Sequence, residues 1–136
     1  MTTRRAARRT ALEILYQADL TGAPAERVLA ERIDAGIAVP PFADELVLGV
    51  TEHLPEIDLL LEEHSEDWTV ARMAAVDRTI MRIAVFELLH SPDVPSSVAI
   101  SEAVEAATEL SSERSRSYVN GVLGRIARER HAPEDA

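Results

Sequence analysis

Residues 76–89 read VDRTIMRIAVFELL, and this stretch decides the fold. On a helical wheel Val76, Ile80, Met81, Ile83, Ala84, Val85, Phe86 and Leu88 surround most of the circumference. A helix that is apolar nearly all round sits among other helices rather than on a surface. Glu87 falls on the wheel between Ile80 and Ile83. A carboxylate in that position needs an arginine or a helix N-terminus as partner. Nothing near it in sequence completes a reactive site, so its expected role is structural.

Working outward, helical periodicity continues on both sides. A first helix is expected from about Thr3 to Asp19, stopping at Thr21-Gly22, and a second from Pro24 to near Gly36. After Val39-Pro40-Pro41 a third runs from about Phe42 to His53, with Ala43, Leu46, Val47 and Val50 on one stripe. Pro55 opens a short fourth helix through Ile57, Leu60 and Leu61. Beyond the central helix, Pro95 starts a sixth, whose Ile100, Ala103, Val104, Ala107 and Leu110 give a clean apolar face. A turn at Ser111 to Ser115 leads to a seventh, which buries Val119, Val122, Leu123 and Ile126. Aromatics are 4% and no alternating β-branched run is bounded by turns, so strands are not expected. The fold class is therefore all-α, with the helix near residues 76–89 at its centre.

Composition bounds the function. The chain has 136 residues, 46% apolar and 28% charged, which is the composition of one globular domain. It has no cysteine, which excludes disulfides, thiolate zinc ligands and a thiol nucleophile and fits a reducing cytoplasm. No apolar run approaches the ~20 residues of a membrane span, and no secretory signal is expected after the basic start MTTRRAARR. His53, His64, His90 and His131 are scattered without metal-ligand spacing and read as surface residues. The glycines do not form a phosphate loop, and no nucleophile elbow is present. Neither an enzyme nor a cofactor site is expected.

The net charge of −10 argues at first against nucleic acid, but its distribution does not. Residues 1–9 carry +4, residues 10–110 carry −15, residues 111–130 carry +3 and the tail 131–136 carries −2. All fourteen basic residues are arginine, the side chain that forks onto phosphate and stacks on bases. A folded chain can bring two basic ends to one surface; the alternative, and the simpler reading of the arginine usage, is a compositional habit of the source organism.

On the first helix Arg5, Arg9, Leu12 and Tyr16 fall within about 60° of one another, with Arg8 a step further round. Ala7, Ala11, Ile14 and Ala18 lie on a different, core-facing side. Arginines that neutralise phosphate, with a ring that stacks on a base, are how single-stranded RNA is held. The alternative is a basic terminus whose Tyr16 packs on a neighbouring helix. The second basic segment, SSERSRSYVNGVLGRIARER over 111–130, contains Asn120-Gly121 in unbroken helical rhythm. A glycine inside a helix costs about 1 kcal/mol relative to alanine, and the expected gain is close approach of another backbone or a ligand. Glu102, Glu105 and Glu109 form an acidic stripe, either a solvated face or a dock for a basic protein.

Taken in order, RRAARRTALEILYQADL, FADELVLGVTEH, WTVARMAAVDRTIMRIAVFELL, DVPSSVAISEAVEAA and SYVNGVLGRIA resemble the NusB transcription antitermination family over about residues 4–127. The resemblance implies seven helices in two small packed bundles. It implies binding of boxA-type RNA in rRNA leader transcripts together with the ribosomal protein NusE, acting indirectly with other antitermination factors and RNA polymerase. By motif position the RNA-contacting residues fall on Arg4, Arg5 and Arg8, with Arg9 adjacent, and on Tyr16, which also borders the NusE surface. The second RNA segment is the start of helix seven, taken as Arg116, Tyr118, Asn120 and Gly121, and the acid at the NusE contact is Asp77. Arg114 stands where some relatives carry an acid, and Tyr118 replaces the commoner Phe. The same fold forms the N-terminal part of some rRNA methyltransferases, for whose catalytic domain 136 residues leave no room. The expectation is one RNA-binding domain over 1–136 with a disordered tail at 131–136. The alternative is a homodimeric scaffold that uses the arginine helix, with Leu12, as its interface.

Overall fold

The computed structural model describes residues 3–66 and 68–135, apart from the side chains of 131–135. The expectation of a disordered tail falls on 131–136, where Ala136 and the side chains before it lie outside the described residues. Seven α-helices and one 3₁₀ turn follow one another, and no strand occurs among the described residues. They are α1 (Arg4–Thr21), α2 (Ala25–Asp34), α3 (Pro41–Glu52), α4 (Leu54–His64), the turn Val70–Arg72, α5 (Ala75–His90), α6 (Ser96–Leu110) and α7 (Glu113–Asp135). The chain divides into two compact units, Met1–His53 and Leu54–Ala136. The expected all-α architecture in two small bundles is thus observed.

In the first unit α1, α2 and α3 all pack on one another. The Thr3 hydroxyl accepts the Ala6 N–H at 3.0 Å and caps α1. Gly22, at φ 76°, ends it in the left-handed conformation that glycine adopts without strain. Pro40 and Pro41 then set the start of α3, since proline fixes φ near its helical value and its missing N–H is not needed there. Ala7, Ala11 and Ile14 of α1 and Ala43, Leu46, Val47 and Val50 of α3 are at most 2% exposed. Each buried Leu, Ile or Val contributes about 1.5–3 kcal/mol. Leu12, expected among the arginines, is only 6% exposed and belongs to this core. Its turn on the wheel places it at the edge of the apolar face, and packing closed over that edge.

In the second unit α5 contacts α4, α6 and α7, as its all-round apolarity requires. Ile80, Met81, Ile83, Ala84, Val85 and Phe86 are buried, and so is Glu87, which is not left without an interaction partner. Arg82 grips Asp58 of α4 through two bonds of 2.9 Å, a fork that fixes α5 against α4. Arg78 donates to the carbonyls of Val70 and Met73 at 3.1 Å and ties the 3₁₀ turn to α5.

Candidate nucleic-acid interface

The first basic segment is a helix start built against its own electrostatics. Arg4, Arg5, Arg8 and Arg9 occupy four of the first six positions of α1, whose first turn holds no acid. A helix N-terminus already carries partial positive charge, so each cation there costs about 0.3–1 kcal/mol at low ionic strength. Arg4–Arg8 and Arg5–Arg9 are also like-charged pairs one turn apart, at about 0.2–0.5 kcal/mol each. Arg4, Arg5 and Arg9 are exposed and Arg8 is half-buried. The guanidinium carbons of Arg4 and Arg8 lie 4.5 and 5.4 Å from the centre of the Phe42 ring. Cation–π contacts of this kind contribute about 0.5–1 kcal/mol at exposed sites, enough to offset the repulsion within that pair. Three turns along, Tyr16 is 36% exposed. Phe42 was not legible as a site residue: it is one aromatic at the head of α3, and only the packing of α3 on α1 brings it beneath the arginines.

The second basic segment is arranged differently. α7 starts with a cap and an acid: the Ser112 hydroxyl accepts the Ser115 N–H at 3.1 Å, and Glu113 sits in the first turn, beside Arg114 and Arg116. The Ser115 hydroxyl donates to Asp77 Oδ2 at 2.7 Å, which fastens the start of α7 to the first turn of α5. Asp77 itself is 6% exposed, and among the described residues its Oδ1 has no hydrogen-bond partner. The acid expected at a partner surface therefore lies inside the second unit.

Beyond that cap the four candidate residues of α7 separate onto two sides of the helix. Tyr118 faces α4, with its hydroxyl hydrogen-bonded to the Ser65 hydroxyl. Gly121 follows on the same side, where an added Cβ meets only Arg125 Nη1, at 3.5 Å. The expected close backbone approach at Gly121 is absent among the described residues. Arg116 and Asn120 face α6 instead, in a groove that also holds Ile100, Val104, Glu105 and Glu109. Arg116 donates to the Thr108 hydroxyl there at 3.4 Å.

The charge of the segment is also partly committed to structure. Arg125 donates through Nε and Nη2 to the His64 carbonyl at 3.0 and 2.7 Å, closing the C-terminus of α4. His64 is not the surface residue expected. It is buried, and its Nδ1 and Nε2 lie 2.8 Å from the Leu60 carbonyl and 2.6 Å from the Glu129 carboxylate. Both neighbours are acceptors, so only the doubly protonated ring satisfies both. Burial lowers the pKa of His64, but the Leu60 carbonyl and the Glu129 carboxylate outweigh it and hold the pKa above the ordinary 6.5. His90 likewise meets Glu56, at 3.0 Å.

Comparison with known proteins decides what kind of chain carries these two segments. The family model described as "NusB family" matches residues 5–128. The chain belongs to the NusB family. A curated relative from Clavibacter sepedonicus, named transcription antitermination protein NusB, is 46% identical over 93% of this chain and 97% of its own. Among solved structures, T. maritima NusB superposes with a TM-score of 0.85 at 35% identity, covering 94% of this chain and 92% of that one. A second, described as antitermination factors NusB and NusE in complex with dsRNA, gives 0.82 at 28% identity, over 93% and 96%. NusB relatives are named as antitermination proteins and not as enzymes.

Proposed function

We propose that this chain is a non-enzymatic transcription antitermination factor. It binds boxA-type RNA of rRNA leader transcripts together with NusE and promotes processive transcription of rRNA operons in the cytoplasm. The observation that carries this reading is the arginine cluster at the start of α1. A helix that concentrates four cations where its own dipole is positive gives up local stability, and that conflict is expected at functional sites. The same place suits a phosphate chain, which meets backbone dipole and guanidinium charge together. Tyr16 adds a ring for a base. Family membership and a neighbour solved with NusE and double-stranded RNA support RNA and NusE as the partners.

Within the second unit the reading divides the candidates. Tyr118 and Gly121 share the half-buried side of α7 beside the end of α4, and they are proposed to border the RNA from there. Arg116 and Asn120 sit beside Glu105 and Glu109, whose carboxylates repel phosphate, and their contribution is proposed to be small. Asp77 acts on NusE through the start of α7 that it fastens rather than by direct contact. No helix among the described residues is long and apolar enough to cross a membrane.

The test is fluorescence anisotropy of a labelled boxA-like single strand, and of a duplex control, titrated with the chain alone and with NusE at two salt concentrations. Salt-sensitive binding that tightens with NusE supports the reading. A folded sample that binds neither RNA in either condition overturns it. Sedimentation of the same samples reports a homodimer directly; burial of Leu12 removes the apolar contact expected for that scaffold.

A further inference from the structure

Phe42 is the second residue of α3 and lies beside the buried stripe rather than within it. Leu46, Val47 and Val50 anchor that stripe, α3 packs on α1, and Pro40 and Pro41 fix where α3 begins. The ring is therefore held by backbone that cannot easily shift. It is half-buried, and two guanidinium groups from successive turns of α1 lie within 6 Å of its centre. A guanidinium drawn to the face of a ring by cation–π attraction still carries N–H groups that can fork onto phosphate. An unsupported arginine loses much rotamer freedom when it binds, and one held near a ring has already lost part of it.

We propose that Phe42 is a positioning residue for RNA binding: its ring orders Arg4 and Arg8 so that both meet phosphate pre-arranged. This rests on the reading of α1 as an RNA surface. A phosphate contact by these two arginines and the ring beneath them then form one unit, in which the aromatic acts only through the cations.

The experiment uses the full chain and the boxA-like strand in four forms: wild type, Phe42→Leu, Arg4→Ala with Arg8→Ala, and all three changes together. Phe42→Leu is expected to bind about fivefold more weakly, with a shallower dependence of affinity on salt. Phe42→Tyr, which keeps the ring, stays within about twofold of wild type. Added to the double arginine variant, Phe42→Leu changes nothing further, because the two act in series. Equal affinity and salt slope for Phe42→Leu and wild type, while the arginine variant is weakened, overturns the proposal and leaves the RNA surface standing. The proposal also fails if the effects of the ring and the arginines simply add. If the double arginine variant binds like wild type, the α1 surface itself is wrong at these two residues, and the proposal falls with it. Should Phe42→Leu fail to fold, NMR of the wild-type chain decides. Upfield-shifted Hε signals of Arg4 and Arg8 support stacking on the ring, and unshifted signals overturn it.

Discussion

The two basic segments of this chain look alike in composition and differ in construction. At the start of α1 four arginines crowd a helix N-terminus that has no acid in its first turn, and two of them lie on an aromatic ring. Along α7 the arginines are divided among tasks. Arg125 closes the end of α4, Arg116 shares a groove with two glutamates, and the helix start is capped by Ser112 and fastened through Ser115 to Asp77. In the first segment the local electrostatic rules of helix stability are broken. In the second two arginines, Arg114 and Arg116, also lie in the first turn, but with Glu113 beside them and with the Ser112 cap and the Ser115–Asp77 bond holding the helix start. What separates the α1 segment is density without compensation: four arginines in six positions with no acid in the first turn, against two arginines beside an acid and a cap in α7.

The largest expected effect tests that contrast directly. Replacing Arg5 and Arg9 by alanine should weaken RNA binding about tenfold at low salt. It should also flatten the slope of log affinity against log salt by about 0.7 for each phosphate no longer neutralised. Arg116→Ala should change affinity by less than about twofold, because Glu105 and Glu109 already offset its charge toward phosphate. Anisotropy titrations of both variants settle the comparison. If Arg116→Ala costs as much as the α1 pair, the distinction between the segments collapses.

The second effect is on stability. Ser115→Ala removes the donor to a buried carboxylate whose other oxygen already has no hydrogen-bond partner among the described residues. Loss of a buried, charge-assisted hydrogen bond should destabilise the chain by about 1–3 kcal/mol, read from urea unfolding. Asp77→Asn, which keeps shape and hydrogen-bonding capacity, should lose less. NusE affinity that falls with Ser115→Ala as well would support an indirect role for Asp77. Unchanged stability in Ser115→Ala would show that the start of α7 is held by its own cap alone.

Most of the fold was legible because it rests on periodicity and punctuation. The all-round apolarity of residues 76–89 gave the central helix, and Gly22, Pro24, Pro40-Pro41 and Pro95 marked helix ends to within a residue or two. The arginines of α1 were legible for a similar reason, since four in six positions need no tertiary information. What sequence could not show depends on neighbours far along the chain. Phe42 lies 34 positions from Arg8, and only helix packing brings them together. Asp77 resembles an exposed acid at a helix start until Ser115 closes on it. Leu12 sits at the margin of an apolar face, where the wheel angle alone does not decide burial. Tyr118 and Asn120 are two residues apart, which on a helix is about 200° and therefore opposite sides; that separation was present in the spacing and became meaningful once α4 and α6 flanked α7.

The smallest effect concerns the structural use of charge in the second unit, and its sign can be worked out. His64 has a folded pKa above 6.5 because the Leu60 carbonyl and the Glu129 carboxylate favour its protonated form more than burial opposes it. In the unfolded chain it returns to the ordinary value. A raised folded pKa means that this stabilisation is present in full below pH 6.5 and is lost as pH rises from there through the folded value. Stability measured by urea unfolding should therefore decline across that window, in the direction of mild alkali rather than acid. Glu129→Gln should remove much of the decline, since it deletes the carboxylate while keeping a hydrogen-bonding side chain. The effect is modest because the Glu129 side chain is 70% exposed and its attraction for the imidazolium is screened by solvent and salt. An identical pH dependence in wild type and Glu129→Gln would mean that the Leu60 carbonyl and the nearby Glu63 charge hold the proton without Glu129. A decline in RNA affinity over the same pH range, parallel to stability, would tie the α4–α7 contact to Tyr118, whose hydroxyl is bonded to the residue directly after His64.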